Sequence, residues 1–337
     1  MTLEKLCAFA ILSAITIQAP AHHSPAMFDM NKDVVFAGTI IEFSWRNPHV
    51  YMAIEIIGAD GKPVVQRIEA GPASNLSTSG MNADTIRAGD RVEVRAKPHR
   101  EGPGHTALGW TLTASDGSEF PLHVRAIRPS TAVDTPEATS IAGTWVPQGT
   151  GFASLAAAAR GWPLTEKGRI AIEETREART AARSECVPFG PPAIMSLPNT
   201  TLVEVSDSEV TFRLDVMNVE RVVHLDQARH PATAAPSLLG HSIGRWDGNT
   251  LVVDTNGFTA HPEGYAFDLP SSVAKRVTER FTLSADRRHL DYEAIVEDAE
   301  YLAVPVTHRS QWDYRPEQKP SGVPCDPEVA RRFATDE

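Results

Sequence analysis

The chain is short of cysteine, of basic charge and of long hydrophobic runs, and each shortage excludes a class of protein. Its three cysteines include no C-x-x-C pair, which removes zinc ribbons and thioredoxin-like redox motifs. With 32 Lys and Arg against 43 Asp and Glu the formal net charge is −11. A nucleic-acid binder needs a basic face, so no nucleic-acid partner is expected. No apolar run approaches the ~18 residues of a membrane span, so no transmembrane segment is expected. Gly240-His241-Ser242-Ile243-Gly244 matches G-x-S-x-G in letters, but it reads as one strand of a hairpin and not as a strand-to-helix elbow, and neighbours in a strand such as His241 and Ser242 point to opposite faces. That argues against a serine triad. Internal repeats are also lacking, which gives no support to a scaffold role.

The N-terminus carries an address. Leu6 to Ile17 is a twelve-residue apolar run, followed by Ala19-Pro20-Ala21. Such a run is too short to span as a mature helix, and A-x-A is the small-residue pattern of a signal-peptide cleavage site. Residues 1–21 are expected to be a signal peptide cut near Ala21, which makes the mature chain periplasmic or secreted. Cys7 leaves with it. The two remaining cysteines, Cys186 and Cys325, are then free to form one disulfide in an oxidising compartment.

What is present is mostly strand signal. In residues 22–126, Val92, Val94 and Ala96 alternate with charged neighbours, the pattern of a half-buried strand. Ala59-Asp60-Gly61-Lys62 and Asp116-Gly117 read as hairpin turns, and 75–85 as a short helix or loop. Five or six strands in about a hundred residues imply a small closed barrel of OB type, with a sandwich as the alternative. Residues 127–140 contain proline and small polar residues without periodicity, and read as a linker. Residues 141–337 open on Gly143-x-Trp145, as lipocalin-type barrels do. Helical stretches over Phe152–Arg160 and Thr165–Arg183 follow, the second as a surface helix. From Thr201 onward strands recur at short intervals. The clearest is the hairpin across Asp247-Gly248-Asn249. The expected fold is therefore all-β: an OB-like small barrel, then a lipocalin-like antiparallel barrel or curved sheet with one or two surface helices.

Three kinds of chemistry are suggested by residue type. A barrel of this kind can hold one small ligand, and Trp145, Trp246, Phe258 and Tyr292 are candidates to line it around a small, largely apolar molecule. Cleavage after Ala21 would expose His22 and His23. An N-terminal amine and imidazoles make a tetragonal nitrogen site that suits Cu(II), with His49 as the nominated third ligand. His99 and His105, which flank a Gly/Pro turn, and Met27, Met30 and Met52 are further donors. Finally, His241 with Asp254 or His261 would serve as an acid–base pair of a cofactor-free lyase, isomerase or hydrolase. The loops 226–240 and 259–272 are expected to frame the mouth.

The motifs also carry a likeness. His22-His23-Ser24, Trp45-Arg46-Asn47-Pro48-His49 and Gly89-Asp90-Arg91-Val92-Glu93-Val94 make residues 22–117 resemble an exported bacterial domain of unknown function. Cys186 to Pro192, Arg221 to Asp226 and the run Gly240 to Thr255 make the second part resemble secreted proteins with a G-H-S-I-G-x-W-x-G-x-T-L-V-V-D-T motif. That likeness implies no activity and supplies no catalytic residues. Its members often carry a His-Ser before an E-R-F strand, where this chain has Ser271-Ser272 ahead of Glu279-Arg280-Phe281.

Overall fold

The computed structural model describes residues 27–123, 126, 136–266 and 268–335. The expected signal peptide, His22 and His23, and most of the expected linker lie outside the described residues. The first sheet contains β1 (Val34–Ser44), β2 (Tyr51–Ile57), β3 (Pro63–Glu69), β4 (Arg91–Lys97), β5 (Ala107–Ala114) and β6 (Glu119–Pro121). β1 pairs with β2 and β4, β2 with β3, and β4 with β5, all antiparallel. A parallel contact of Ile68 with Ala107 joins β3 to β5 and closes a five-strand ring. This 1-2-3-5-4-1 circuit is the OB arrangement. Alternation explains it locally: Val92, Val94 and Ala96 are buried, while Arg91, Glu93 and Arg95 are exposed. Their side chains meet Ile40, Met52, Ile54, Ile68 and Leu112 in one core, and helix α1 (Ala73–Leu76) adds Ala73 and Leu76 to it.

The second sheet is built from β7 (Gly143–Pro147), β8 (Thr201–Val205), β9 (Glu209–Leu214), β10 (Val219–His224), β11 (His241–Asp247), β12 (Thr250–Asn256), β15 (Lys275–Leu283), β16 (His289–Asp298) and β17 (Val306–Tyr314). These nine strands close into a barrel in the order β10-β11-β12-β15-β16-β17-β7-β8-β9. The expected hairpin is β11–β12, with Trp246 opposite Leu251 and Gly248 at φ +61° in the turn. The barrel has a feature that an up-and-down meander lacks. β10 and β11 run parallel and pair only through Val223–Ser242 and His224–Ile243. The short pairing leaves a seam in the wall.

Helices α2 (Gly149–Ala159), α3 (Glu166–Glu174), α4 (Arg176–Ser184) and α5 (Ala193–Ser196) fill the connection from β7 to β8. The long helix expected over Thr165–Arg183 is two helices, interrupted at Thr175 (φ −93°, ψ 6°). The 259–272 stretch, expected as a loop, is a hairpin of β13 (His261–Ala266) and β14 (Leu269–Ser271) against which α2, α4 and α5 pack.

The chain after β17 returns to the first barrel. Gln318 donates to the Thr78 carbonyl at 2.9 Å, Asn47 Nδ2 donates to the Val323 carbonyl at 2.8 Å, and Arg46 pairs with Asp326. The expected bridge is formed between Cys186 and Cys325, with Cα atoms 6.0 Å apart. It pins this strap to the end of α4. A terminal helix, α6 (Pro327–Thr335), then packs on α4.

Candidate functional site

In the first barrel the connection from β4 to β5 folds back on itself. Gly102 (φ +101°) and Gly104 (φ +96°) take the left-handed backbone that only glycine adopts freely. The turn brings His99, Glu101 and His105 together, with one donor atom of each within 4.8 Å of the others. A Glu101 oxygen lies 4.0 Å from His99 Nδ1 and 3.7 Å from His105 Nε2. The two imidazoles stack at 4.7 Å between centroids. His99 Nδ1 accepts the Glu101 backbone N–H at 3.2 Å, so an ion bound at this nitrogen would replace that hydrogen bond. Phe28 meets the His99 ring edge-on at 6.0 Å, and Gln66 holds the His105 carbonyl at 3.0 Å. Donors bound to one ion at about 2.1 Å stand no more than about 4.2 Å apart, so small closures suffice to chelate one. Among the described residues this is the one group of three His, Cys, Asp or Glu donors with such convergence. His49, nominated from sequence, is engaged elsewhere: its Nδ1 lies 3.0 Å from Glu69 Oε1 and 3.2 Å from the Ala70 carbonyl. Met52 is fully buried in the core.

The interior of the second barrel is filled by rings. Phe212, Phe281, Tyr292 and Trp312 contact one another at centroid distances of 4.9 to 6.4 Å. Of the residues nominated to line an apolar cavity, Trp145 and Tyr292 belong to this buried core and Phe258 packs under the ammonium of buried Lys275 at 4.0 Å. Trp246 lies outside, 43% exposed at the hairpin. Side chains thus occupy the space in which a ligand was expected. Beside the rings sits a buried ion pair. Arg221 and Glu279 are 1% and 0% exposed. Arg221 donates from Nη1 to Glu279 Oε1 at 3.0 Å, from Nη2 to Oε2 and to Thr255 at 3.0 Å, and from Nη2 to Ser242 at 3.2 Å. The Tyr292 hydroxyl donates to Oε1 at 2.9 Å. Burial, with Glu279 beside it, pushes the Tyr292 phenol well up, so it stays a donor.

Residues 10–108 match the model of a family of unknown function, DUF6152. Comparison with curated proteins and with solved structures finds no match. The DUF6152 match takes in β1 to β4 and the whole His99–Glu101–His105 turn, and it stops at the start of β5. The second barrel lies beyond it.

Outside the DUF6152 match, the recess of the second barrel is at the seam. It holds about 220 Å³ and is lined by Arg221, His224, Gly240, His241 and Ser242 among others. Asp254 and His241, paired in the sequence reading, are joined through a residue that reading left out. His230 Nε2 lies 3.1 Å from Asp254 Oδ2, and His230 Nδ1 lies 3.0 Å from His241 Nδ1. His224 stacks on His241 at 5.1 Å. Burial, then His224 and His230, holds the His241 imidazole below its ordinary pKa. His261 is not part of this group. It sits in β13, accepts the Glu263 N–H at 2.9 Å, and burial with nearby Lys275 depresses it to about 4. Glu101 and His230 were the residues missed. Glu101 was legible from the H-x-E-x-x-x-H spacing of 99–105. His230 sits in a Pro-flanked loop, with no signal of its own.

Proposed function

We propose that the chain is an exported, periplasmic or secreted metal-binding protein, whose first barrel holds a transition-metal ion, copper foremost, between His99, Glu101 and His105. The observation that carries this is the convergence of two imidazoles and a carboxylate on a seven-residue turn. Imidazole donors suit copper and zinc, and divalent affinities peak at Cu(II) in the first-row order. The backbone of the turn is held by two glycines, a ring contact and the hydrogen bond from Gln66, while the exposed Glu101 and His105 side chains are left for the ion to order. Export rests on the apolar run Leu6–Ile17 with its A-x-A end, and the Cys186–Cys325 bridge supports an oxidising compartment. An apolar-ligand role in the second barrel has no comparable support, because Tyr292 packs on Phe281 and Trp312, Trp145 on Tyr314 and Phe258 on Lys275, while Trp246 is exposed. Isothermal calorimetry with Cu(II) and Zn(II) on the processed chain tests the site. The His99→Ala and His105→Ala variants are each expected to weaken binding by at least about tenfold. Affinity in both variants equal to that of the wild type would refute it.

A further inference from the structure

The seam of the second barrel is a separate piece of chemistry. β10 and β11 hold together by only two residue pairs. Where they part, the wall opens into a recess of about 220 Å³, smaller than the ~300–1,000 Å³ of drug-sized sites. Its floor cannot serve as an anion trap. The Arg221 charge is already matched by Glu279, and Glu220 adds a carboxylate to the lining. At its rim the ring nitrogens form a directed chain. Asp254 can only accept at neutral pH, so the proton between it and His230 belongs to Nε2 of His230. A neutral His230 then offers Nδ1 as an acceptor, and the proton in the 3.0 Å contact belongs to Nδ1 of His241. The lone pair of His241 is left on Nε2, which has no hydrogen-bond partner among the described residues. Two hydrogen bonds in series fix the tautomer, as a carboxylate does for a catalytic histidine.

We propose that this seam is a general-base site for a small uncharged carboxylic ester, with His241 as the base and His230 and Asp254 as positioning residues. His241 Nε2 takes a proton from a water held in the recess. The water oxygen bonds to the carbonyl carbon, and the carbon–oxygen bond to the leaving group breaks, the electron pair leaving with the alkoxide or phenoxide. The His241 imidazolium returns its proton to the departing alkoxide or phenoxide, and the second water proton is released when the carboxylic acid product ionises. The groups facing His241 are His224 on β10, His230 on the crossing loop, Asp254 on β12 with Arg276 of β15 bonded to it at 3.2 Å, and Glu220 and Arg221 in the recess.

The test uses para-nitrophenyl acetate as the probe and the full processed chain. His241→Gln is expected to lower the protein-dependent hydrolysis rate at least tenfold, and His289→Gln, on the far strand β16, to leave it unchanged. Asp254→Asn removes the negative charge that favours the imidazolium. The acidic limb of the rate profile should therefore move down by about half a pH unit or more, a shift that a merely structural role would not produce. A second measurement needs no variant: diethyl pyrocarbonate should carbethoxylate His241 of the wild type at least as fast as His289, which is partly exposed beside Asp286 and Asp313, read by peptide mass spectrometry. An undiminished rate in His241→Gln, an unmoved limb in Asp254→Asn, or a His241 that stays unmodified while His289 reacts fully would each overturn the proposal.

Discussion

Replacing Glu279 by Gln would leave a guanidinium buried in the barrel without its counter-ion. Arg221 is 1% exposed and Glu279 0%, so water cannot substitute for the lost charge. The hydroxyls of Ser242 and Thr255 still accept from Arg221, but neutral acceptors do not offset a buried cation. Breaking one partner of such a pair costs about 3–5 kcal/mol, a large part of the ~5–15 kcal/mol that holds a typical domain folded. The complementary variant removes the whole network: Arg221→Met, Glu279→Met and Tyr292→Phe together. Phenylalanine is needed because a Tyr292 hydroxyl stripped of Glu279 would itself be orphaned, at about 1–3 kcal/mol. Replacing a buried pair by apolar groups of similar volume is often close to neutral, so the triple variant should recover most of the loss. Urea unfolding followed by tryptophan fluorescence reads this barrel directly, because Trp145 and Trp312 are both in its core. A Glu279→Gln loss below about 1 kcal/mol, the range of exposed pairs, would show that the pair is not the isolated, dry contact described here.

Other consequences follow from the strap and the buried histidines. The disulfide closes a loop of 139 residues' separation, for which chain entropy gives about 5 kcal/mol. Cys186→Ala with Cys325→Ala should lower the melting temperature, and dithiothreitol should do so for the wild type but not for that variant. His261 and His308 are both depressed to about 4 by burial. Unfolded, they bind protons below about 6.5. Between these values the unfolded chain takes up more protons, so stability rises with pH from about 4 to 6.5 and is lost on acidification through that window. Urea midpoints at pH 7, 5 and 4 should fall, and His308→Gln, which keeps a partner for the Ser196 hydroxyl 3.1 Å away, should flatten part of the fall.

Much of the fold was legible because strand pairing here is mostly local. The alternation of Val92, Val94 and Ala96, and the Asp247-Gly248-Asn249 turn, report period and punctuation that a linear reading detects. The closure of the rings was harder. The β3–β5 and β10–β11 contacts are parallel, and their register is not written in any turn. Nine strands close the second barrel, and nothing in the spacing of apolar residues distinguishes that from eight. The aromatic residues were found, but composition cannot tell a ring that lines a cavity from a ring that fills one. Arg221 and Glu279 lie 58 residues apart, and each reads alone as an ordinary exposed strand charge. Yet the motif segments noted in sequence supply Arg221, Ser242 and Thr255, and the E-R-F strand supplies Glu279. Their shared destination explains why those short runs stand out. Asn47 has a similar explanation. It is buried between Ser74 and the strap carbonyl of Val323, a contact with residues far along the chain.

The metal site is the central claim, and anomalous diffraction at the copper edge from crystals grown with Cu(II) tests it most directly. The account predicts a peak within about 2.0–2.2 Å of one ring nitrogen each of His99 and His105 and of a Glu101 oxygen, absent in His105→Ala crystals. A peak at His49 or between His230 and His241 with none on the 99–105 turn, or no peak at all, would contradict it.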